Sequence, residues 1–189
     1  VVWTQGFGVR RVGEPEKVDA DSVFQLASLS KPVGSTVVAG LVGQGALDWD
    51  DPIVEYTPEF QLADPWVTQH VTVADMYSHR SGLPPHAGDL LEDLGFDRDA
   101  VLERLAQYPL DDFRSSYAYT NFGLTQGAVA AAAAAGGEWE ELSESVLYEP
   151  LGMESTSSRF ADYEAAPERA WTHMRGDDGV WRTGEVRAP

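Results

Sequence analysis

The chain has 189 residues, 43% of them hydrophobic and 11% aromatic, enough for one domain of ordinary size with a real core, which excludes disorder as a class. Its formal net charge of −18 opposes binding to the phosphates of DNA or RNA and to anionic membrane surfaces. Cysteine is absent, which removes disulfides, thiolate metal sites and a cysteine nucleophile from consideration.

Taken in chain order, residues 1–12 have a strand-like composition with interspersed glycines, closed by the turn Gly13-Glu14-Pro15-Glu16. Val23 to Ala27 reads as a short apolar strand. From Pro32 to Val42 the pattern is helical and mostly apolar, ending at Gly43-Gln44-Gly45. Residues 48–60 are turn-rich, and residues 71–78 begin a short helix that gives way to the loop His79 to His86. Residues 97–107 read as an amphipathic helix with apolar positions at Val101, Leu102 and Leu105. Asn121 to Ala135 is a helix of small residues. Glu138 to Tyr148 is another, with Trp139, Leu142, Val146 and Leu147 expected on its inner side. From Arg159 onward no firm period emerges. The alanine-rich run 128–135 falls short of the roughly 18 apolar residues of a membrane span, and there is neither an internal repeat nor a domain linker. Within one domain the chain reads as three stretches: 1–47 with strands and the first helix, 48–160 mainly helical, and 161–189.

Ser28-Leu29-Ser30-Lys31 carries the chemistry. A serine followed three residues later by a lysine sets a weak nucleophile and a proton acceptor on one face of a helical turn. Serine needs such help because its hydroxyl does not ionise near neutral pH. Lys31 is one of only two lysines, the other being Lys17, and it lies in an apolar setting. Pro32 fits only near a helix start, which keeps Ser28 at or before the first turn, close to the positive end of the helix dipole. A helix cap with a solvated lysine accounts for the same four residues.

A second constellation is Tyr119-Thr120-Asn121 at the start of the small-residue helix. Asn121 is the single asparagine of the chain, and it falls two residues after a tyrosine. A capping asparagine beside a buried tyrosine is the plainer account of this pair.

Together the two motifs, with the segments between them, resemble the serine hydrolases of the class C β-lactamase type and their relatives, the D,D-carboxypeptidases, D-aminopeptidases and family VIII esterases. Ser28-Leu29-Ser30-Lys31-Pro32 is similar to the nucleophile motif of that family, and Gly45 to Pro52 to its post-helix turn. His79-Arg80-Ser81-Gly82-Leu83 resembles its helical-domain loop. Tyr119-Thr120-Asn121-Phe122-Gly123 matches its second motif, and Pro150-Leu151-Gly152-Met153 with Thr156 a later helix end. The resemblance runs in order over most of residues 1–160. It implies an α/β (α+β) fold of the β-lactamase/transpeptidase kind, an antiparallel sheet flanked by helices with a helical subdomain.

The same resemblance implies roles. Ser28 attacks an ester or amide carbonyl, and its backbone N–H is one oxyanion donor. Lys31 and Tyr119 share the proton work, either of them being the base. Asn121 holds Lys31 or the substrate amide. No cofactor is implied. His79 and His86, even with Asp89 nearby, lack the three ligands on one element that a metal site needs. His173, beside Trp171, reads as surface or structural, and the six tryptophans as core and cleft packing.

The family's third motif, Lys-Thr-Gly or His-x-Gly on a strand lining the cleft, does not occur after Tyr119. The expectation is an N-terminal portion of such an enzyme, lacking part of the sheet and needing a complementing segment to cover its edges. The expected activity is a β-lactamase-related esterase acting through an acyl-enzyme on a small molecule. β-Lactam hydrolysis or peptidase activity, and a non-catalytic penicillin-binding-like module, are the alternatives. The compartment stays open.

Overall fold

The computed structural model describes residues 3–184. They divide into two units. One is Lys31–Leu142, and the other joins the residues up to Ser30 with those from Ser143 onward.

The Lys31–Leu142 unit is helical. Its first helix, α1 (Ser30–Gly43), starts at the end of the neighbouring unit's chain and buries Gly34, Val37, Val38 and Leu41. That is the i, i+3, i+4, i+7 stripe of a helix with one apolar face. Pro32 stands in the first turn, where a missing N–H costs nothing. Two short helices follow, α2 (Pro65–His70) and α3 (Val73–Tyr77). Asp64 caps α2 by accepting from the N–H groups of Trp66 and Val67, with Pro65 at the first position. Thr72 and Asp75 form a capping box on α3. Next come α4 (Asp89–Asp93) and α5 (Arg98–Arg104), the latter capped by Asp97 and continued by a 3₁₀ turn in which Leu105 is fully buried.

The small-residue helix α6 (Asn121–Ala135) ends on Gly136 in the left-handed conformation. Its glycines allow close packing on α3: a Cβ on Gly127 would stand 3.0 Å from the Tyr77 ring and 3.2 Å from Met76. Gln126 Nε2 donates to Thr57 Oγ1 at 3.0 Å, satisfying both inside the core.

The expected helix over 138–148 is α7 (Trp139–Ser143) running into a π-turn, Glu144–Tyr148. The expected inner residues Trp139, Leu142, Val146 and Leu147 are half-buried, while Ser143 and Tyr148 are the buried ones. A π-turn takes more residues per turn than an α-helix and so rotates the inward face.

The second unit contains α8 (Phe160–Ala165) and a hairpin of β1 (His173–Arg175) with β2 (Trp181–Thr183), antiparallel with Met174 opposite Arg182. This hairpin is the only sheet among the described residues. The strands expected in residues 1–12 and 23–27 reduce to single bridges, Val9 with Lys17 and Val23 with Arg169. The glycines explain the first case. At Gly6 the backbone of Val18 comes so near that a Cβ would lie 2.1 Å from its carbonyl oxygen, and Gly8 takes φ +84°. Neither residue continues a regular ladder.

Three of the tryptophans expected in the core, Trp3, Trp66 and Trp181, are 70%, 58% and 54% exposed, while Trp49, Trp139 and Trp171 are half-buried. The guanidinium groups of Arg11 and Arg169 stand 4.3 and 4.2 Å from the centre of the Trp171 ring. His173 Nε2 accepts the N–H of Val12 at 2.9 Å, a structural tie. No helix among the described residues is long and apolar enough to cross a membrane.

Candidate active site

Tyr119 and Asn121 are positioned by a run of backbone hydrogen bonds between the 79–86 loop and the 111–120 segment. Asp111 N–H donates to Gly82 O at 2.8 Å, Ala118 N–H to His79 O at 2.9 Å, and His86 N–H to Tyr119 O at 2.8 Å. The loop bends sharply to do this. His79 and His86 take φ +57° and +61°, conformations that cost a non-glycine residue and persist only where surrounding structure enforces them. Thr120 is extended and leads straight into α6, so Asn121 stands on the first turn of that helix.

Lys31, on the first turn of α1, reaches the same place. Its Nζ donates to Asn121 Oδ1 at 2.6 Å and lies 4.8 Å from the centre of the Tyr119 ring, a cation over an aromatic face. Asn121 Nδ2 donates in turn to both oxygens of Asp89, at 3.1 and 3.0 Å. Asp89 also accepts from His86 Nδ1 at 2.9 Å. The result is a continuous chain, Lys31 to Asn121 to Asp89 to His86, with Tyr119 beside it.

Two imidazoles flank Tyr119, the rings of His79 and His86 standing 4.8 and 5.5 Å from its own. His79 is buried, and its Nδ1 accepts the N–H of Thr120 at 3.2 Å. Burial, and after it the Lys31 ammonium, pull the His79 imidazole below its ordinary value. Both effects agree with a lone pair on Nδ1, so His79 is a neutral wall of the site.

Ser28 belongs to the other unit. It sits in a 3₁₀ turn, Ala27–Leu29, that runs directly into α1, and it is exposed. Ala27, just before it, takes φ +47°, a conformation an alanine adopts only at a cost. Of the four residues singled out in the sequence, Lys31, Tyr119 and Asn121 thus gather within one unit, and Ser28 occupies the turn that precedes α1. Asp89 and His79 were not singled out as site residues. The i, i+3 spacing of His86 and Asp89 was the available signal. Among the described residues no group of three or more His, Asp or Glu side chains converges as a metal site.

The family profile described as Beta-lactamase matches residues 1–189. The chain belongs to the β-lactamase family. It is 27% identical over 176 residues, 89% of its length, to Penicillin-binding protein 4* of Bacillus subtilis (strain 168) and spans 37% of that protein. It is 32% identical over 167 residues, 79% of its length, to Esterase EstB of Burkholderia gladioli and spans 41% of that protein. An octameric penicillin-binding protein homologue from Pyrococcus abyssi superposes with a TM-score of 0.81 at 21% identity, over 96% of this chain and 43% of the other. The β-lactamase/transpeptidase-like fold expected from the sequence is therefore the fold of this chain. The chain spans less than half the length of each of these three proteins.

Proposed function

We propose that this β-lactamase-family chain carries the catalytic residues of a serine hydrolase that cleaves a small ester or amide through an acyl-enzyme. The observation that supports the reading most is the Lys31–Asn121 hydrogen bond beside the Tyr119 ring, with Ser28 three residues ahead of Lys31 in the chain.

The chemistry follows from the groups. Ser28 Oγ attacks the carbonyl carbon and gives up its proton to the Lys31–Tyr119 pair, forming a tetrahedral intermediate. The Ser28 backbone N–H, at the approach to α1, is one donor to the developing oxyanion. As the carbon–oxygen or carbon–nitrogen bond breaks, the pair returns the proton to the leaving group and Ser28 keeps the acyl group. A water then attacks the acyl-enzyme, with the same pair taking its proton, and releases the acid and free Ser28. Lys31 and Tyr119 share this proton work. Asn121 contributes a carbonyl acceptor that keeps the Lys31 ammonium in place.

An ester substrate is the first reading, supported by the likeness to the Burkholderia esterase. A β-lactam is the second, supported by the likeness to the Bacillus penicillin-binding protein. The test is turnover of a p-nitrophenyl ester and of nitrocefin by the parent and by Ser28→Ala. The proposal expects Ser28→Ala to abolish turnover with unchanged circular dichroism. Undiminished turnover in that variant overturns it, and a preference for nitrocefin selects the second substrate class.

A further inference from the structure

Asp89 stands behind Asn121, away from the nucleophile motif in sequence, and no role in the mechanism above has been given to it. Its placement has a consequence for the amide. A primary amide has one accepting end and one donating end. A carboxylate only accepts and an ammonium only donates, so an asparagine between the two has a single workable orientation. Here Asn121 turns its Nδ2 to Asp89, at 3.0 and 3.1 Å, and its Oδ1 to Lys31, at 2.6 Å. With Asp89 replaced by an apolar side chain, the amide is free to rotate. In its flipped orientation the NH₂ group faces the Lys31 ammonium, and a hydrogen bond becomes a repulsion between donors.

Asp89 is itself held. It is the first residue of α4, following Gly88 at φ +95°. A Cβ on Gly88 would come within 2.7 Å of Phe122 and Val101, so the backbone before Asp89 is pressed against the core. His86, three residues earlier, donates from Nδ1 to Asp89 Oδ2 at 2.9 Å. One carboxylate oxygen is thereby shared between the histidine and the asparagine, and the side chain is 24% exposed. The carboxylate has its position set from two sides before it meets Asn121.

We propose that Asp89 is a positioning residue: through the His86–Asp89–Asn121 hydrogen bonds it sets the amide orientation of Asn121 and so holds Lys31 for proton transfer. The catalytic consequence rests on the hydrolase reading above, while the orientation of the amide does not. A group displaced by about an ångström from its working position loses rate on the order of 10²-fold, and that loss belongs to the chemical step because Asp89 acts on the proton-transfer group.

Asn121 being the single asparagine, feeding [δ2-¹⁵N]asparagine gives one side-chain NH₂ pair in an ¹⁵N–¹H spectrum. The variants Asp89→Leu and Asp89→Ser leave it the single asparagine. In the parent protein the pair is expected downfield and slow to exchange. In both variants it is expected at the position of a solvated amide. Unchanged shifts in a variant whose circular dichroism matches the parent overturn the proposal. In the ester assay kcat is expected to fall on the order of 10²-fold with KM nearly unchanged. A variant that alters KM alone also overturns it. Absence of any Ser28-dependent turnover in the parent would bring down the hydrolase reading, and the amide pair would then decide the role of Asp89 by itself. If Asp89→Leu fails to fold, Asp89→Ser carries the test.

Discussion

Within Lys31–Leu142 the side chains of Val37, Val38, Ile53, Val73, Met76, Leu83 and Leu105 are wholly shielded, whereas in the other unit Trp3, Phe7, Leu151, Met174 and Trp181 are more than half exposed. Among its described residues, the buried hydrophobic ones of that second unit are Tyr148, Tyr163 and Ala170. Its order leans instead on polar ties: Tyr163 Oη donates to Ala170 O at 2.7 Å, and the guanidinium groups of Arg11 and Arg169 stand over the Trp171 ring. The difference matters for the chemistry. Lys31, Tyr119 and Asn121 are set by helices and a loop anchored in a dense core, where small displacements are resisted. The turn of Ser28 belongs to the unit with less shielded apolar surface.

The contrast can be broken most forcefully by substitution in the core. Leu105→Ala is expected to cost about 2–5 kcal/mol in denaturant-induced unfolding, because Leu105 is fully buried. A loss no greater than that of a surface substitution would remove the distinction between the units. A smaller effect is expected from the α3 cap. Thr72→Ala deletes a hydroxyl that accepts the Asp75 N–H and donates to the Asp75 carboxylate, a loss of about 1 kcal/mol, measured the same way.

The pH dependence of the helical unit sharpens the comparison further. The folded imidazole of His79 sits below its ordinary value, so as pH falls the unfolded chain takes up the proton first. The stability tied to neutral His79 is complete above about pH 6.5 and is lost as pH drops from there toward the folded value. Denaturant midpoints across that window are expected to fall in the parent and to flatten in His79→Gln, which cannot titrate. An equal slope in both proteins would place the effect elsewhere. The smallest change is expected from Leu151→Ala, where the side chain is 66% exposed and unfolding should shift by no more than about 0.5 kcal/mol.

What could be read from the sequence follows the same division. The mostly apolar α1 and the small-residue α6 are short-range patterns, and both helices are present in the structure. The helix α2 also carried a local signature, Asp64-Pro65, in a stretch for which no element was expected. Residues 1–12 and 23–27 were read as strands from composition, but each reduces to an isolated bridge, in the first stretch because glycines stand at close backbone approaches. The burial face of 138–148 was misassigned because a π-turn leaves no mark in apolar periodicity. Asp89 was missed for another reason: its partner Asn121 is 32 residues away, and only the folded loop brings them together.

The most direct measurement is covalent labelling by a fluorophosphonate, followed by intact-mass analysis and peptide mapping. The account predicts a single adduct on the peptide containing Ser28, absent in Ser28→Ala and slowed in Lys31→Ala and Tyr119→Phe. Labelling that persists in Ser28→Ala, or that maps to another serine, would contradict it.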